Sequence, residues 1–258
     1  MNINFNKKLL FFHIPKCAGK SIMSSFGIEK NRIIDRSVVC GLSHTVVVND
    51  FAKHYENQSD DIINLFQSFI KFTIVRNPYD RLVSLYHYRK KENDLYNLYV
   101  GANENGGDDT TPEGTKLSFK EWVMDDRSRA VGNFWTQDPF LRVKSHVWTS
   151  KEKQIHLFAN HQNQYHATIE WISQINFITN HKGDVLVDDI LRFENLDEEI
   201  KNFCKKYNLN EVVLPKKNSS VRKKNYVDYY DDELIEFATR LFEDDLEHFN
   251  YKFGDLYE

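Results

Sequence analysis

Three groups of residues in this chain have types and spacings suited to holding a charged, phosphate-like group. The first is Lys16-Cys17-Ala18-Gly19-Lys20-Ser21, where small residues let backbone N–H groups converge and two lysines add positive charge. Such a turn, feeding a helix, is an anion site. The second is Arg76 with Ser84. Ser84 falls seven residues after Asn77, two helical turns along the same face, so an arginine fork and a hydroxyl can share one anion. The third is Lys216 to Lys224, which holds five cations and no acid in an acidic chain; a solvated basic loop is the competing reading. His44 stands between the first two groups. It sits where Leu42-Ser43-His44-Thr45 meets the apolar run Val46 to Val48, a junction from which a side chain can enter a cleft or simply bond local backbone.

The elements that must position these residues are legible from apolar runs and their punctuation. Leu9 to Ile14 is apolar except for His13 and ends at Pro15, which suits a parallel strand covered on both faces. Ile22, Met23 and Phe26 then recur at helical spacing. Phe69 to Val75 predicts a second buried strand. It runs into Arg76-Asn77-Pro78-Tyr79-Asp80, where Asn77 can cap a helix, Pro78 suits its first position and Asp80 its first turn. Leu82, Leu85 and Tyr86 form that helix's apolar stripe. A third strand is expected at Val185-Leu186-Val187, a short helix over Leu117 to Met124, a helix over Leu196 to Tyr207, and an amphipathic helix from Asp231 to Phe249. His161 to Ile178 reads equally well as helical or irregular, and Gly101 to Thr115 as a surface loop. Alternating strands and helices predict an α/β fold: a central, mainly parallel sheet flanked by helices, with ligands beyond the strands' carboxyl ends.

Composition narrows the function. At 258 residues, with no compositional break, the chain is expected to form a single domain over 1–258. A net charge of −4 gives no general pull toward nucleic acid. No segment approaches the roughly 20 apolar residues of a membrane span, so a cytoplasmic location is expected. Three widely spaced cysteines, Cys17, Cys40 and Cys204, suggest reduced thiols rather than a disulfide framework or metal knuckle. Cys17 could be a nucleophile beside Lys16, or a small residue filling the loop. His156, His161 and His166 recur every five residues, off the one-face spacing of a helical zinc site, and no metal site is legible.

The loop's match to the nucleotide-triphosphatase pattern G-x-x-x-x-G-K-[ST] is partial. Gly19-Lys20-Ser21 fits its end, but Ile14 holds the first glycine's place. The order apolar strand, His13-Ile14-Pro15-Lys16, Ala18-Gly19-Lys20-Ser21 instead resembles the 5′-phosphosulfate loop of sulfotransferases that use 3′-phosphoadenosine-5′-phosphosulfate (PAPS). Val75 to Tyr86 resembles the 3′-phosphate motif of carbohydrate sulfotransferases, in particular the group related to heparan sulfate 2-O-sulfotransferases. Ser43-His44-Thr45-Val46-Val47-Val48-Asn49-Asp50-Phe51 resembles that family's catalytic-histidine segment, and Asn218-x-Ser220-x-Arg222 its PAPS-closing loop.

The resemblance implies a P-loop-like sulfotransferase fold and transfer of a sulfuryl group from PAPS, without metal, to an acceptor hydroxyl on a carbohydrate or small molecule. It gives His44 the role of general base and Lys16 that of stabilising charge on the leaving phosphate. Lys16, Cys17, Ala18, Gly19, Lys20 and Ser21 would hold the 5′-phosphate end, Arg76 and Ser84 the 3′-phosphate, and Ser220 and Arg222 would close over the cofactor. Arg192 and Glu194 would be structural. Two other readings stay open. A P-loop kinase would use Lys20 on the transferred phosphate and Asp188 or Asp189 on magnesium. A non-catalytic module would bind PAPS, or sulfated glycans through Lys216 to Lys224.

Overall fold

The computed structural model of the chain describes residues 2–30, 67–91, 117–124, 173–179, 184–215 and 225–255. The chain divides into two compact units, residues 1–77 with 173–219 and 257–258, and residues 78–172 with 220–256.

The first unit is built on a five-stranded sheet. In chain order its described elements are strand β1 (Asn2–Asn4), strand β2 (Leu9–Phe12), helix α1 (Gly19–Phe26), strand β3 (Glu29–Lys30), strand β4 (Ile70–Val75), a 3-10 turn (Gln174–Phe177), strand β5 (Asp189–Arg192) and helix α4 (Leu196–Lys206). Across the sheet the strands lie in the order β3-β1-β2-β4-β5. β2, β4 and β5 are parallel, with Phe12 opposite Thr73 and Val75 opposite Arg192. β1 runs antiparallel to both β2 and β3. The sheet is therefore α/β and mainly parallel, with an antiparallel edge too short to show periodicity in the sequence. Leu9 to Phe12 are all buried, as a strand covered on both faces requires.

Four phenylalanines centre the core of this unit. Phe72 packs against Phe11 (ring centroids 5.0 Å apart), Phe26 (5.8 Å) and Phe203 (4.7 Å). α1 and α4 thus both rest on the sheet face that carries Phe11 and Phe72. Truncating such a fully buried ring to alanine costs about 3–5 kcal/mol.

The third strand differs from the expected one. It is Asp189–Arg192, whereas Val185 makes only an isolated antiparallel bridge to Thr179. Pairing decides this: Asp188 N–H donates to Lys71 O at 2.7 Å and Phe193 N–H to Val75 O at 2.8 Å, which lays 189–192 along β4.

The second unit contains helix α2 (Pro78–Lys91), helix α3 (Phe119–Met124), a 3-10 turn (Tyr226–Tyr229), helix α5 (Asp232–Leu241) and helix α6 (Glu243–Phe249). α2 begins at Pro78 as expected, and Leu82, Leu85 and Tyr86 are buried. They join Tyr79, Phe119, Trp122, Tyr226, Leu234 and Ala238 in one cluster. The single helix expected from Asp231 to Phe249 is two, broken at Phe242. Asp231 caps α5 by accepting from Leu234 N–H at 2.9 Å, the favoured use of aspartate there.

Candidate active site

The carboxyl ends of β2 and β4 carry two of the groups to which the sequence assigned chemistry, Lys16 to Ser21 and Arg76. After Phe12 the chain makes a tight turn in which Lys16 (φ 70°) and Ala18 (φ 56°) are both left-handed. Side chains rarely adopt this conformation, and such residues collect at ligand clamps. Left-handed residues spaced this way turn successive N–H groups toward one concavity, which draws an anion. α1 begins directly after, at Gly19, and the first N–H groups of a helix have no acceptor within it. Ala18 offers no side-chain cap, and the first turn holds no acid. This differs from α5, which its own Asp231 caps. A helix N-terminus whose own cap and first turn bring no anion suits an anionic ligand.

Gly19 is required by close packing. A Cβ there would lie 1.9 Å from His13 Nε2, so the imidazole rests against the helix's first residue. His13 is itself buried and stacked on Phe11, ring centroids 5.7 Å apart. Cys17 is fully buried; its thiol donates to Gln174 Oε1 at 3.3 Å, with Pro15 O at 3.7 Å. Those contacts make it a residue that fills the loop rather than a nucleophile. Lys16 is half-buried and Lys20 exposed. The Ser21 hydroxyl donates to Pro215 O at 3.2 Å, and Ser25 to Val213 O at 3.1 Å, so 213–215 is tied along α1.

Arg76 follows β4 and meets this turn. It is only 4% exposed, yet it is a cation, so its partners decide its cost. Its Nη1 donates to Lys16 O at 3.0 Å, and its guanidinium carbon lies 4.0 Å from the centroid of the Phe193 ring. Its backbone is held as firmly. The N–H donates to Gln174 Oε1 at 2.9 Å, and its carbonyl accepts from Gln174 Nε2 at 2.8 Å. Asn77 N–H donates to Glu194 Oε1 at 2.6 Å, a structural role for that glutamate. Gln174 and Phe193 were not singled out in the sequence. Phe193 follows a strand that was expected four residues too early, at Val185 to Val187 rather than Asp189–Arg192, and Gln174 belongs to a stretch with no clear pattern.

The structure therefore brings Lys16 to Ser21 together with Arg76. Ser84 lies on α2 in the second unit and is half-buried. His44, Ser220, Arg222 and the rest of Lys216 to Lys224 lie outside the described residues, as does Gly101 to Thr115. His87, on α2, shares a 2.8 Å hydrogen bond between Nε2 and the Tyr229 hydroxyl.

Asp188 and Asp189 sit at the amino end of β5, the opposite end of the sheet from the Lys16 to Ser21 turn. Asp188 accepts from Lys71 N–H (2.7 Å) and pairs with Lys71 Nζ (2.9 Å). Asp189 pairs with Lys206 Nζ at 2.7 Å and accepts from the Tyr207 hydroxyl. A magnesium-holding carboxylate needs the carboxyl end of its strand, so neither aspartate serves a kinase site. Among the described residues no group of His, Cys, Asp and Glu could hold a metal ion, and no helix is long and apolar enough to cross a membrane.

The Sulfotransferase family model matches residues 1–252. The chain belongs to the sulfotransferase family. Comparison with curated proteins and with solved structures gave no match. As a sulfotransferase it is a transferase enzyme that moves a sulfuryl group to an acceptor, on a mainly parallel sheet flanked by helices. The family generally takes its sulfuryl group from PAPS.

Proposed function

We propose that this sulfotransferase is PAPS-dependent, that residues 1–258 act as one catalytic domain, and that it is related to the heparan sulfate 2-O-sulfotransferase group. The observation that carries the proposal is the junction of the phosphate turn with Arg76. A helix N-terminus without an acid or side-chain cap meets a buried arginine through the Lys16 carbonyl. One ligand with two separated phosphates can satisfy both.

In this reading the N–H groups of Ala18, Gly19 and Lys20 hold the 5′-phosphate, joined by that of Cys17 when it leaves its 3.4 Å bond to Ile14 O. Lys20 adds its charge, and Ser21 exchanges the Pro215 carbonyl for a charged phosphate oxygen, the stronger acceptor. Arg76 and Ser84 take the 3′-phosphate, and Ser220 and Arg222 close over the nucleotide. His44 removes the acceptor's hydroxyl proton as its oxygen attacks sulfur. The S–O bond to the 5′-phosphate breaks in line, and Lys16 stabilises the negative charge left on the phosphate oxygen. The products are a sulfate ester and adenosine 3′,5′-bisphosphate; no metal takes part. The acceptor is a hydroxyl of a carbohydrate or small molecule. A cytoplasmic location suits two buried cysteines kept as thiols, Cys17 and Cys204.

Titration of the protein with adenosine 3′,5′-bisphosphate, adenosine 5′-monophosphate and ATP tests the proposal. Adenosine 3′,5′-bisphosphate should bind tightest, with no requirement for magnesium. A magnesium-dependent preference for ATP would contradict it.

A further inference from the structure

Gln174 is fully buried, and its amide is shared between the two halves of the phosphate-binding edge. Its Oε1 accepts from Arg76 N–H at 2.9 Å and from the Cys17 thiol at 3.3 Å, while its Nε2 donates to Arg76 O at 2.8 Å. The paired bonds to Arg76 are those a neighbouring strand would make, so the side chain extends the β4 ladder by one residue. The thiol bond ties the same amide to the middle of the phosphate turn. With Arg76 Nη1 on Lys16 O, the four residues Lys16, Cys17, Gln174 and Arg76 form a closed ring.

The base of that ring is rigid. Gln174 opens a 3-10 turn whose Phe177 is 1% exposed, and the following Ile178 is fully buried. Thr179 Oγ1 donates to Ile175 O at 3.0 Å, and Leu186 N–H to Ile178 O at 2.8 Å. A short polar bridge on a packed base fixes the height of one group against another, because both of its bond sets must stretch before either partner moves.

We infer that Gln174 is a positioning residue that sets the distance between the phosphate turn and Arg76, and so makes the site selective for a ligand with phosphates at both ends. This rests on the reading of Arg76 as the 3′-phosphate group. Gln174 touches neither phosphate; it acts through the backbone of Arg76 and the thiol of Cys17. Its loss should therefore reduce the advantage of a two-phosphate ligand over a one-phosphate ligand more than it reduces binding to the turn alone.

The readout is the ratio of the Kd for adenosine 5′-monophosphate to the Kd for adenosine 3′,5′-bisphosphate, measured calorimetrically on the full chain. Gln174→Met keeps the volume and removes all three bonds; the ratio should fall by roughly tenfold or more. Phe177→Leu, which thins the core under the same turn but leaves the three bonds of Gln174 in place, should lower the melting temperature and reduce the ratio far less than Gln174→Met does. Gln174→Glu keeps an acceptor for Arg76 N–H and the thiol but loses the donor to Arg76 O. It should give a smaller fall, and it carries the test if the methionine variant does not fold. A ratio unchanged in a folded Gln174 variant, or lowered as much by Phe177→Leu, overturns the inference while leaving the 3′-phosphate site intact. A wild-type ratio near one removes that site, and this inference with it.

Discussion

Arg76 Nη1 donates to the carbonyl oxygen of Lys16 at 3.0 Å, and Lys16 is the residue whose φ is 70°. The buried guanidinium thus helps hold the left-handed turn that aims backbone N–H groups at an anion, besides supplying a charge of its own. One side chain links the strained backbone of the phosphate turn to the end of β4.

The first prediction follows from this double duty. Arg76→Ala should weaken adenosine 3′,5′-bisphosphate by roughly 1.5–3 kcal/mol, about ten- to a hundredfold, the range for a charge-assisted contact. Adenosine 5′-monophosphate should weaken less, through the loosened turn alone. Arg76→Lys keeps charge without the fork and should recover only part of the loss. Equal weakening of both ligands in Arg76→Ala, measured by calorimetry, would remove Arg76 from the 3′-phosphate site.

A second prediction concerns Gly19. A methyl group placed 1.9 Å from His13 Nε2 must displace the imidazole, and overpacking of this kind costs about 1–3 kcal/mol. Gly19→Ala should lower the melting temperature and weaken nucleotide binding together. Adding His13→Ala should return part of the stability, a positive coupling in a double-mutant cycle. Strict additivity of the two losses would show that they do not share a contact.

The parts of the fold that were legible in the sequence are those where a local rule and the tertiary structure agree. β2 and β4 carry dense apolar runs, and Asn77-Pro78 marks the start of α2 without ambiguity. Gly19-Lys20-Ser21 opens α1 as its spacing required. Legibility failed where the deciding interaction is distant. β1 and β3 have three and two residues, too few for periodicity, and exist because β1 pairs with β2 on one side and β3 on the other. Val185-Leu186-Val187 is the more apolar stretch, yet backbone pairing with Lys71 and Val75 puts the strand at Asp189–Arg192. The helix break at Phe242 lies inside an unbroken amphipathic pattern. Gln174 was invisible because its role is set by partners 98 and 157 residues away.

Alkaline pH should probe the second unit. The Tyr230 residue is half-buried, but its hydroxyl is enclosed and donates to Tyr79 O at 2.9 Å. Burial first, and then the charges of Asp80, Tyr79 and Tyr226, push its pKa well above the ordinary 10.0. Tyr79 is raised in the same direction, chiefly by burial and against the effect of its hydrogen bond with Thr239. With the folded pKa raised, the stabilisation is complete below 10.0 and is lost as pH rises from there through the folded value. The melting temperature should therefore fall above pH about 10. Tyr230→Phe should fall less steeply, after losing roughly 0.5–1.5 kcal/mol at neutral pH with its hydrogen bond. An equally steep alkaline fall in Tyr230→Phe would assign the effect to other groups.

The base is tested at His44. His44→Ala should leave adenosine 3′,5′-bisphosphate affinity nearly unchanged and lower turnover by roughly 10²–10⁴-fold, the usual contribution of general-base catalysis. The wild-type rate should rise with pH through an apparent pKa near about 6.5, and the variant should lose that limb. A structural His44 would instead lower the melting temperature and leave turnover per folded molecule almost intact.

The central claim is sulfuryl transfer from PAPS by lysines, an arginine and backbone amides. Its most direct test is to incubate the protein with PAPS labelled in its sulfuryl group, a panel of sugar and small-molecule hydroxyls, and excess chelator, and to measure both labelled ester and adenosine 3′,5′-bisphosphate. The account predicts that the two form in equal amounts with at least one acceptor, at a rate the chelator does not change. No turnover of PAPS with any acceptor, together with magnesium-dependent transfer of phosphate from ATP to the same panel, would contradict it.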